Sequence, residues 1–433
     1  MNEKFRFYSD RSFLYRYRVQ KDDYRETLAN AVIPNPLTPF KDELFSSWIA
    51  RLSAKFDCQV STFLNIYFPF LRDKRLTARD TDLVLDSELA EIFSQRTRIS
   101  KTIIYNTGLK SYESYLSETI RDNSRNNLIS TVKIKGSYSK SYGLKYCPYC
   151  LRENNYFKKQ WRLLFVNVCE KHNCYLLDRC PSCNNPITIT KRKKGIKFFN
   201  CPFCGFEFHK AESKKIPSQS KAVENQKKML EILNDGYFIF ENKPYYSIFY
   251  FWTVKKLAKL IYLDEYRKDD ALQTEIELHN YPLKSKKEIK SRFIEDFLEV
   301  KEGISLFTAI YDILKDRESF DKFVKDNNLS FYILNTFKEG SDYNPPYWYI
   351  DLISNYQVGI NNQIVTEEMI RNAVKWMQKN GIRVSLRNLT KWTGIDFCSS
   401  KKVKVLKEIV ENSETKQGSM YNFSKKNYTH KRA

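Results

Sequence analysis

A chain of 433 residues, 42% hydrophobic and 15% aromatic, can bury sizeable cores and spans two to four domains of ordinary size. Its 73 Lys and Arg against 51 Asp and Glu leave a formal charge of +22, which favours a polyanionic partner because neutralised phosphates release condensed counterions. No apolar run approaches the roughly 18 residues of a membrane span, and the polar, aromatic start MNEKFRFYSDRSFLYRYRV does not read as a signal peptide.

The first 33 residues are charged and tyrosine-rich without a core period, and read as an extension. IPNPLTPF is a proline-punctuated lead-in. Leu44, Phe45, Trp48, Ile49, Leu52 and Phe56 then recur on one helical face. A turn at Asp57 to Gln59 leads to VSTFLNIYF, where Ser61 is placed to cap a second helix, so the pair has a helix-turn-helix outline. Residues 75 to 130 read as further amphipathic helices.

Eight of the ten cysteines fall between Cys147 and Cys204. Cys147-x2-Cys150, eighteen residues, then Cys169-x2-His172 make one four-ligand set; Cys180-x2-Cys183, seventeen residues, then Cys201-x2-Cys204 make a second. Both fit the two-knuckle pattern in which close pairs on tight turns aim their donors at one ion. Thiolates and an imidazole at tetrahedral spacing suit Zn2+, two structural ions per chain. Cys174 could replace the histidine, but Cys-x-x-His matches its partner knuckle and favours His172. His209 reads as a surface or packing histidine, and Cys58 and Cys398 as small buried apolar residues. Each set is closed by four protein ligands and no HExxH or HxE base accompanies it, so a structural rather than catalytic role is expected. Between the knuckles WRLLFVNVC reads as a buried strand. Arg192, Lys193 and Lys194 form either a solvated hairpin tip or a phosphate contact.

KAESKKIPSQSK reads as a linker, after which the chain reads as helices: AVENQKKMLEILNDG with Gly236 as C-cap, then YYSIFYFWTVKKLAKLIYL, a charged joint over 264–292, and FIEDFLEVKEGISLFTAIYDILKD. Beyond the joint NPPYWY, Thr366 caps a helix that Gly381 ends, Ser385 caps the next, and Ser399 or Ser400 starts a third, KKVKVLKEIV. This is the spacing of a three-helix helix-turn-helix, with Arg383, Arg387, Lys401, Lys402, Lys404 and Lys407 as candidate DNA contacts. The alternative is a packing domain with a solvated lysine face. The tail YNFSKKNYTHKRA suits phosphate attraction rather than sequence reading.

These residues resemble the TniQ/TnsD proteins. PNPLTPFKDELFSSWIARLSAKF, with Glu43, Leu44, Ser47, Trp48, Arg51 and Leu52, is similar to the family's opening. CPYCLRENNYFKKQWRLLFVNVCEKHNCYLLDRCPSC, with Trp161 in its W-R-L run, is similar to the family's zinc core. Glu43, Trp48, Arg51 and Trp161 are carried over as structural residues. The resemblance implies a bacterial, cytoplasmic, nucleoid-associated protein that selects target sites for Tns-type DNA transposons. Such a protein is no enzyme: it marks the site and recruits the AAA+ ATPase TnsC, which engages the transposase. TnsD-like members bind attachment-site double-stranded DNA, and shorter TniQ members sit on a CRISPR Cascade effector with its guide RNA. Charge, two zinc modules and a C-terminal reader favour the first branch. Outside the family, a zinc-ribbon transcription or RNA-binding factor is the alternative. A homodimer stays open.

The expected fold is mainly α and multidomain: an N-terminal helix-turn-helix domain, a central tandem zinc-ribbon module with short β-hairpins, and C-terminal helical domains including a helix-turn-helix. The expected boundaries are 1–33 extension, 34–144 TniQ domain, 145–210 zinc module, 220–345 helical TnsD-like domain, 346–412 C-terminal DNA-binding domain and 413–433 basic tail.

Overall fold

The computed structural model describes residues 32–69, 71, 76, 79–122, 125–132, 142–190, 197–265, 294–327, 329, 331–335, 345–356, 367–382, 384 and 388–389. The chain divides into two compact units: one runs to Lys268 and resumes over Gln273–Phe323, the other holds Asp269–Leu272 and everything from Val324. The fold is mainly helical, with two-stranded sheets only among the described residues.

The first unit opens with α1 (Phe45–Lys55) and α2 (Val60–Tyr67), a helical hairpin turned at Asp57, whose φ is 47°. The periodic face of α1 is the core face: Leu44, Phe45, Trp48, Ile49 and Leu52 are all fully buried. Phe45 meets Phe93 edge-on at 5.3 Å, and Phe68 stacks on Phe93 at 4.2 Å. The cap expected at Ser61 does not form. Gln59 holds the N-cap position of α2 without a side-chain hydrogen bond, and the earlier start puts Val60 into the core. Burying a valine is worth about 1.5–3 kcal/mol, which outweighs the roughly 1 kcal/mol of a serine cap.

Three shorter helices follow: α3 (Thr81–Val84), α4 (Ser87–Thr97) and α5 (Lys101–Tyr105). Asp80 caps α3, and Asp86 caps α4 by accepting from the Leu89 amide at 2.7 Å. The helical reading of residues 75–130 stops there. Beyond the 3-10 turn Leu109–Tyr112 the described residues up to 132 are irregular. Ser114 and Leu128 adopt positive φ, and the Asn126 side chain takes both the amide and the carbonyl of Arg121. Side-chain bonding of this kind competes with the helix ladder.

The central part holds α6 (Pro148–Glu153), a 3-10 turn Lys159–Arg162, and the ribbon β1 (Val168–Cys169) with β2 (Cys174–Tyr175), paired antiparallel with Cys169 opposite Cys174. The run expected as a strand, 161–169, is buried throughout, yet only its last two residues are strand. Because the run is apolar on both faces, its pattern gives burial but not conformation. The buried Lys145 pins the intervening turns, its Nζ donating to the carbonyl of Leu163 at 2.7 Å, to that of Val166, and to Asn167 Oδ1 at 3.2 Å.

Both edges of this short ribbon are covered. The segment expected as a linker instead pairs along β2: Tyr175 N donates to Lys214 O, and Ile216 N to Asn173 O, each at 2.9 Å. Its polar composition hides a pairing role, since backbone groups do the bonding. On the other edge lies α7 (Lys221–Asp235). Gln226 Oε1 accepts from the amides of Asn167 (2.7 Å) and Val168 (3.0 Å), while its Nε2 donates to Val168 O (2.9 Å). Gln226→Ala would leave three buried backbone groups unpaired, so we expect urea unfolding to show a loss of about 2–4 kcal/mol.

Gly236, at φ 80°, ends α7 as expected. The next residues are not helical: β3 (Tyr237–Phe240) and β4 (Lys243–Tyr246) form a hairpin turned by Glu241 and Asn242, both at positive φ. Alternation of exposed Tyr237 and Ile239 with buried Phe238 and Phe240 is its sequence signal. Then come α8 (Ser247–Glu265), α9 (Ile294–Phe297), and α10 (Val300–Leu314), which opens with a capping box between Glu299 and Glu302 and packs on α7 and α8. No helix of the described residues is long and apolar enough to cross a membrane. α11 (Arg317–Asp326) runs over the boundary between the units.

In the second unit α12 (Phe331–Asn335) and α13 (Tyr347–Ser354) pack together, and the buried Tyr349 hydroxyl donates to Leu334 O at 2.8 Å. α14 (Glu367–Lys379) ends at Gly381, φ 66°, with Ile382 N returning to Met377 O at 2.8 Å. The expected cap at Thr366, the helices after Gly381 apart from the helical Asn388 and Leu389, the extension up to residue 31, most of the charged joint and the tail lie outside the described residues.

Candidate metal centres

The lead-in to the centres is a buried ion pair. Glu43, fully buried, accepts from Ser47 Oγ (2.8 Å), from Arg51 Nε (2.8 Å) and Nη2 (2.7 Å), and from the Phe40 amide (3.1 Å). Arg51 also donates to Thr38 O, and Trp48 Nε1 donates to Leu37 O at 2.7 Å. Positions 43, 47, 48 and 51 thus bind the proline-rich lead-in to α1. The same helix meets the central part: Ser47 Oγ accepts from the Phe157 amide, and Leu44 N donates to Phe157 O. Phe157 in turn packs edge-on against the buried Trp161, 6.2 Å away.

The first donor group is assembled from α6 and the β1–β2 ribbon. Cys147 is the N-cap of α6, with Pro148 following as a residue that needs no amide donor there. Cys150 comes round one turn later, Cys169 ends β1, and His172 sits in the turn before Asn173, whose φ of 46° reverses the chain. His172 Nδ1 lies 3.5 Å from Cys147 Sγ, 3.3 Å from Cys150 Sγ and 3.6 Å from Cys169 Sγ, and the last two sulfurs are 3.6 Å apart. All four donor atoms lie within 4.8 Å of one another. His172 Nε2 lies 3.1 Å from Glu153 Oε1, so a carboxylate holds the imidazole with Nδ1 facing the sulfurs.

The second group sits on two tight turns. Asn184 N returns to Cys180 O and Gly205 N to Cys201 O, each at 2.9 Å. Cys180 and Cys204 Sγ are 3.6 Å apart and Cys183 and Cys201 Sγ 3.5 Å, and these four also lie within 4.8 Å of one another. Cys180 and Cys201 are buried, Cys183 partly and Cys204 exposed.

Within each group some thiols are pushed down and others up: sulfur contacts led by Cys147 raise Cys150 in the first, and burial raises Cys180 and Cys201 in the second. The hydrogen bond from Cys150 is the largest cause bringing Cys147 down to about 7, and sulfur contacts led by Cys147 hold Cys169 far below the thiol range. Burial pulls Cys183 upward, but hydrogen bonds from Asn185 outweigh it and bring the thiol down to about 6. Three thiolates with an imidazole, or four thiolates, make a soft tetrahedral donor set with no place left for substrate.

The structure brings together all eight donors expected from the spacing. His209 stays apart from both groups, paired with Glu207 at 3.2 Å. The nine candidate DNA contacts, Arg192, Lys193, Lys194, Arg383, Arg387, Lys401, Lys402, Lys404 and Lys407, lie outside the described residues. Sequence reasoning misses Glu153 and Arg162 and sets Cys174 aside. Arg162 had a signal, its place in the W-R-L run. Its guanidinium is fully buried between Asp80 and Asp82, at 2.5 and 2.9 Å, with Ser130 O at 2.9 Å.

Fold and donor groups define a mainly helical protein with cysteine-rich knuckles of the zinc-ribbon kind. Residues 34–176 match the TniQ family model, so the chain carries a TniQ domain and accords with the TniQ/TnsD family. No curated protein matches the chain. The matched span takes in the Glu43–Arg51 pair and the whole first donor group, and stops before the second.

Proposed function

We propose that this protein is a non-catalytic target-site selector for a Tns-type DNA transposon. It binds attachment-site double-stranded DNA and recruits the AAA+ regulator TnsC, and through it the transposase. The observation that carries this reading is the TniQ domain over residues 34–176 in a chain of formal charge +22. A TniQ domain supports a role in transposition, and the excess of cations supports direct contact with a polyanion. The two donor groups are proposed to hold one Zn2+ each, in a structural role, with Cys147, Cys150, Cys169 and His172 on the first and Cys180, Cys183, Cys201 and Cys204 on the second. The metal then replaces the apolar core that short segments cannot supply. The segment from Thr366 onward is proposed as the DNA reader, with lysines 401, 404 and 407 on one side of its third helix.

Footprinting on attachment-site fragments tests the branch. Protection by the protein alone is the expected result. Protection that appears only with a guide-RNA effector would assign the protein to a Cascade-bound role instead. Charge reversal of Lys401, Lys404 and Lys407 together should weaken binding and lower the salt slope by roughly one for each phosphate that is no longer neutralised. Unchanged affinity would make that helix a packing element.

A further inference from the structure

The first centre has more donors than an ion needs. Cys174, on β2, is fully buried, and its Sγ lies 3.6 Å from Cys147 Sγ. Cys169 lies directly opposite it across the ribbon. The cause is register: Cys169 and Cys174 are directly opposed on the two-residue ribbon, so their side chains leave it on the same face. That face is the one turned toward Cys147 and Cys150.

The second centre provides a template for what this means. There the sulfurs form two close pairs, first with fourth (Cys180–Cys204, 3.6 Å) and second with third (Cys183–Cys201, 3.5 Å). These are opposite edges of a tetrahedron, and zinc–sulfur bonds of about 2.3 Å require edges of about 3.8 Å. In the first centre Cys150 and Cys169 are 3.6 Å apart and Cys147 and Cys174 also 3.6 Å, so the two close sulfur pairs recur, with His172 rather than Cys174 completing the four donors that lie within 4.8 Å of one another. Cys174 therefore stands to Cys147 as Cys204 stands to Cys180. His172 competes for the same corner. Its three contacts of 3.3–3.6 Å with Cys147, Cys150 and Cys169 match the roughly 3.5 Å edge that a nitrogen and a sulfur share on one ion. It reaches them from the surface turn, tied to the exposed Glu153, whereas Cys174 reaches them from inside the ribbon.

We propose that Cys174 is a fifth ligand of the first centre: three sulfurs, Cys147, Cys150 and Cys169, hold the metal permanently, and His172 and Cys174 share the fourth position. The proposal rests on the metal reading of this group and not on the transposition reading. Its consequence is that the imidazole can swing out toward a partner at the surface while the ion stays bound by four thiolates. The step is a ligand exchange: the bond from His172 Nδ1 breaks, the bond from Cys174 Sγ forms, and the thiol proton passes to solvent.

Metal content and the absorption of the Co2+-loaded protein test this on the full chain. Wild type and Cys174→Val should both hold two ions. His172→Ala should also hold two, with cobalt–thiolate charge-transfer absorption raised and d–d bands moved to longer wavelength as a fourth thiolate replaces nitrogen. The double variant His172→Ala/Cys174→Val should lose one of the two ions. Should the alanine variant not fold, His172→Gln, which can keep the contact with Glu153, reads the same way. A His172→Ala or His172→Gln chain holding a single ion, beside a wild type holding two, overturns the proposal alone. A wild type with one ion or none overturns the metal reading as well.

Discussion

Replacing Cys180 by serine is expected to remove one bound ion and unfold the second donor group, not to slow a reaction. Cys180 is buried and shares a 3.6 Å edge with Cys204, and its turn is closed by Asn184 N to Cys180 O and Cys180 N to Asn185 O. Around it the apolar support is small: Ile187, Ile189, Phe198 and Phe208 are the nearby buried side chains in sequence. Four such residues contribute on the order of 10 kcal/mol of burial at most, which ordering the surrounding chain consumes. A structural metal supplies an apparent ~10–16 kcal/mol in comparable small modules, and that energy is folding energy. Metal analysis should therefore show one ion fewer. Limited proteolysis should show new cleavage between residues 178 and 210, and the thermal midpoint should fall. Loss of the ion with an unchanged midpoint and cleavage pattern would refute the structural role.

Arg162→Met should cost about 3–5 kcal/mol in urea unfolding, because it strands the buried Asp82 carboxylate and the part-buried Asp80 beside it. The guanidinium is fully buried, spans Asp80 and Asp82, and also satisfies the Ser130 carbonyl. Burial already pushes Asp82 up to about 6 against the pull of Arg162, even though Ser46 donates to it from both its amide and its hydroxyl. Without the cation its folded-state value rises further. A carboxyl raised on folding binds more protons in the native than in the unfolded state, so its stability term is present at low pH and lost as pH rises through the folded value. The deficit of the variant should accordingly be larger at pH 8 than at pH 5. An equal deficit at both would show that missing packing, not stranded charge, is responsible. Arg162 matters to the donor group through position, since it fixes the turn that leads into β1 and so places Cys169.

How much of this is legible in the sequence depends on the kind of signal. The eight donors are readable because metal ligation needs fixed residue types at fixed short spacings, and both sets are unbroken in the chain. The face of α1 is readable because it is amphipathic at 3.6 residues per turn. Reading fails where local sequence is ambiguous or where the partner lies far along the chain. WRLLFVNVC, mostly apolar, reads as a strand, and the KAESKK segment, mostly polar, as a linker. The first is mostly turns held by Lys145, and the second bonds along the outer edge of β2 through Lys214 and Ile216. The β3–β4 hairpin disappears into a helical stretch because its turn, Glu241–Asn242, lacks the glycine that usually advertises two positive φ values.

By itself the sequence determined the mainly helical class, the resemblance carried by Glu43, Trp48, Arg51 and Trp161, the two donor sets and the strongly basic balance. Each of these is written in composition or in spacings of a few residues. Only the tertiary structure decided what closes around the first centre. Gln226 comes to β1 from 58 positions away, Lys214 pairs with β2, Asp82 reaches Arg162 across 80 residues, and the ribbon register turns Cys174 toward Cys147. The physical reason is common to all four. A two-residue ribbon cannot satisfy its own edges or fix its own face, so groups distant in the chain, which leave no local period, complete it.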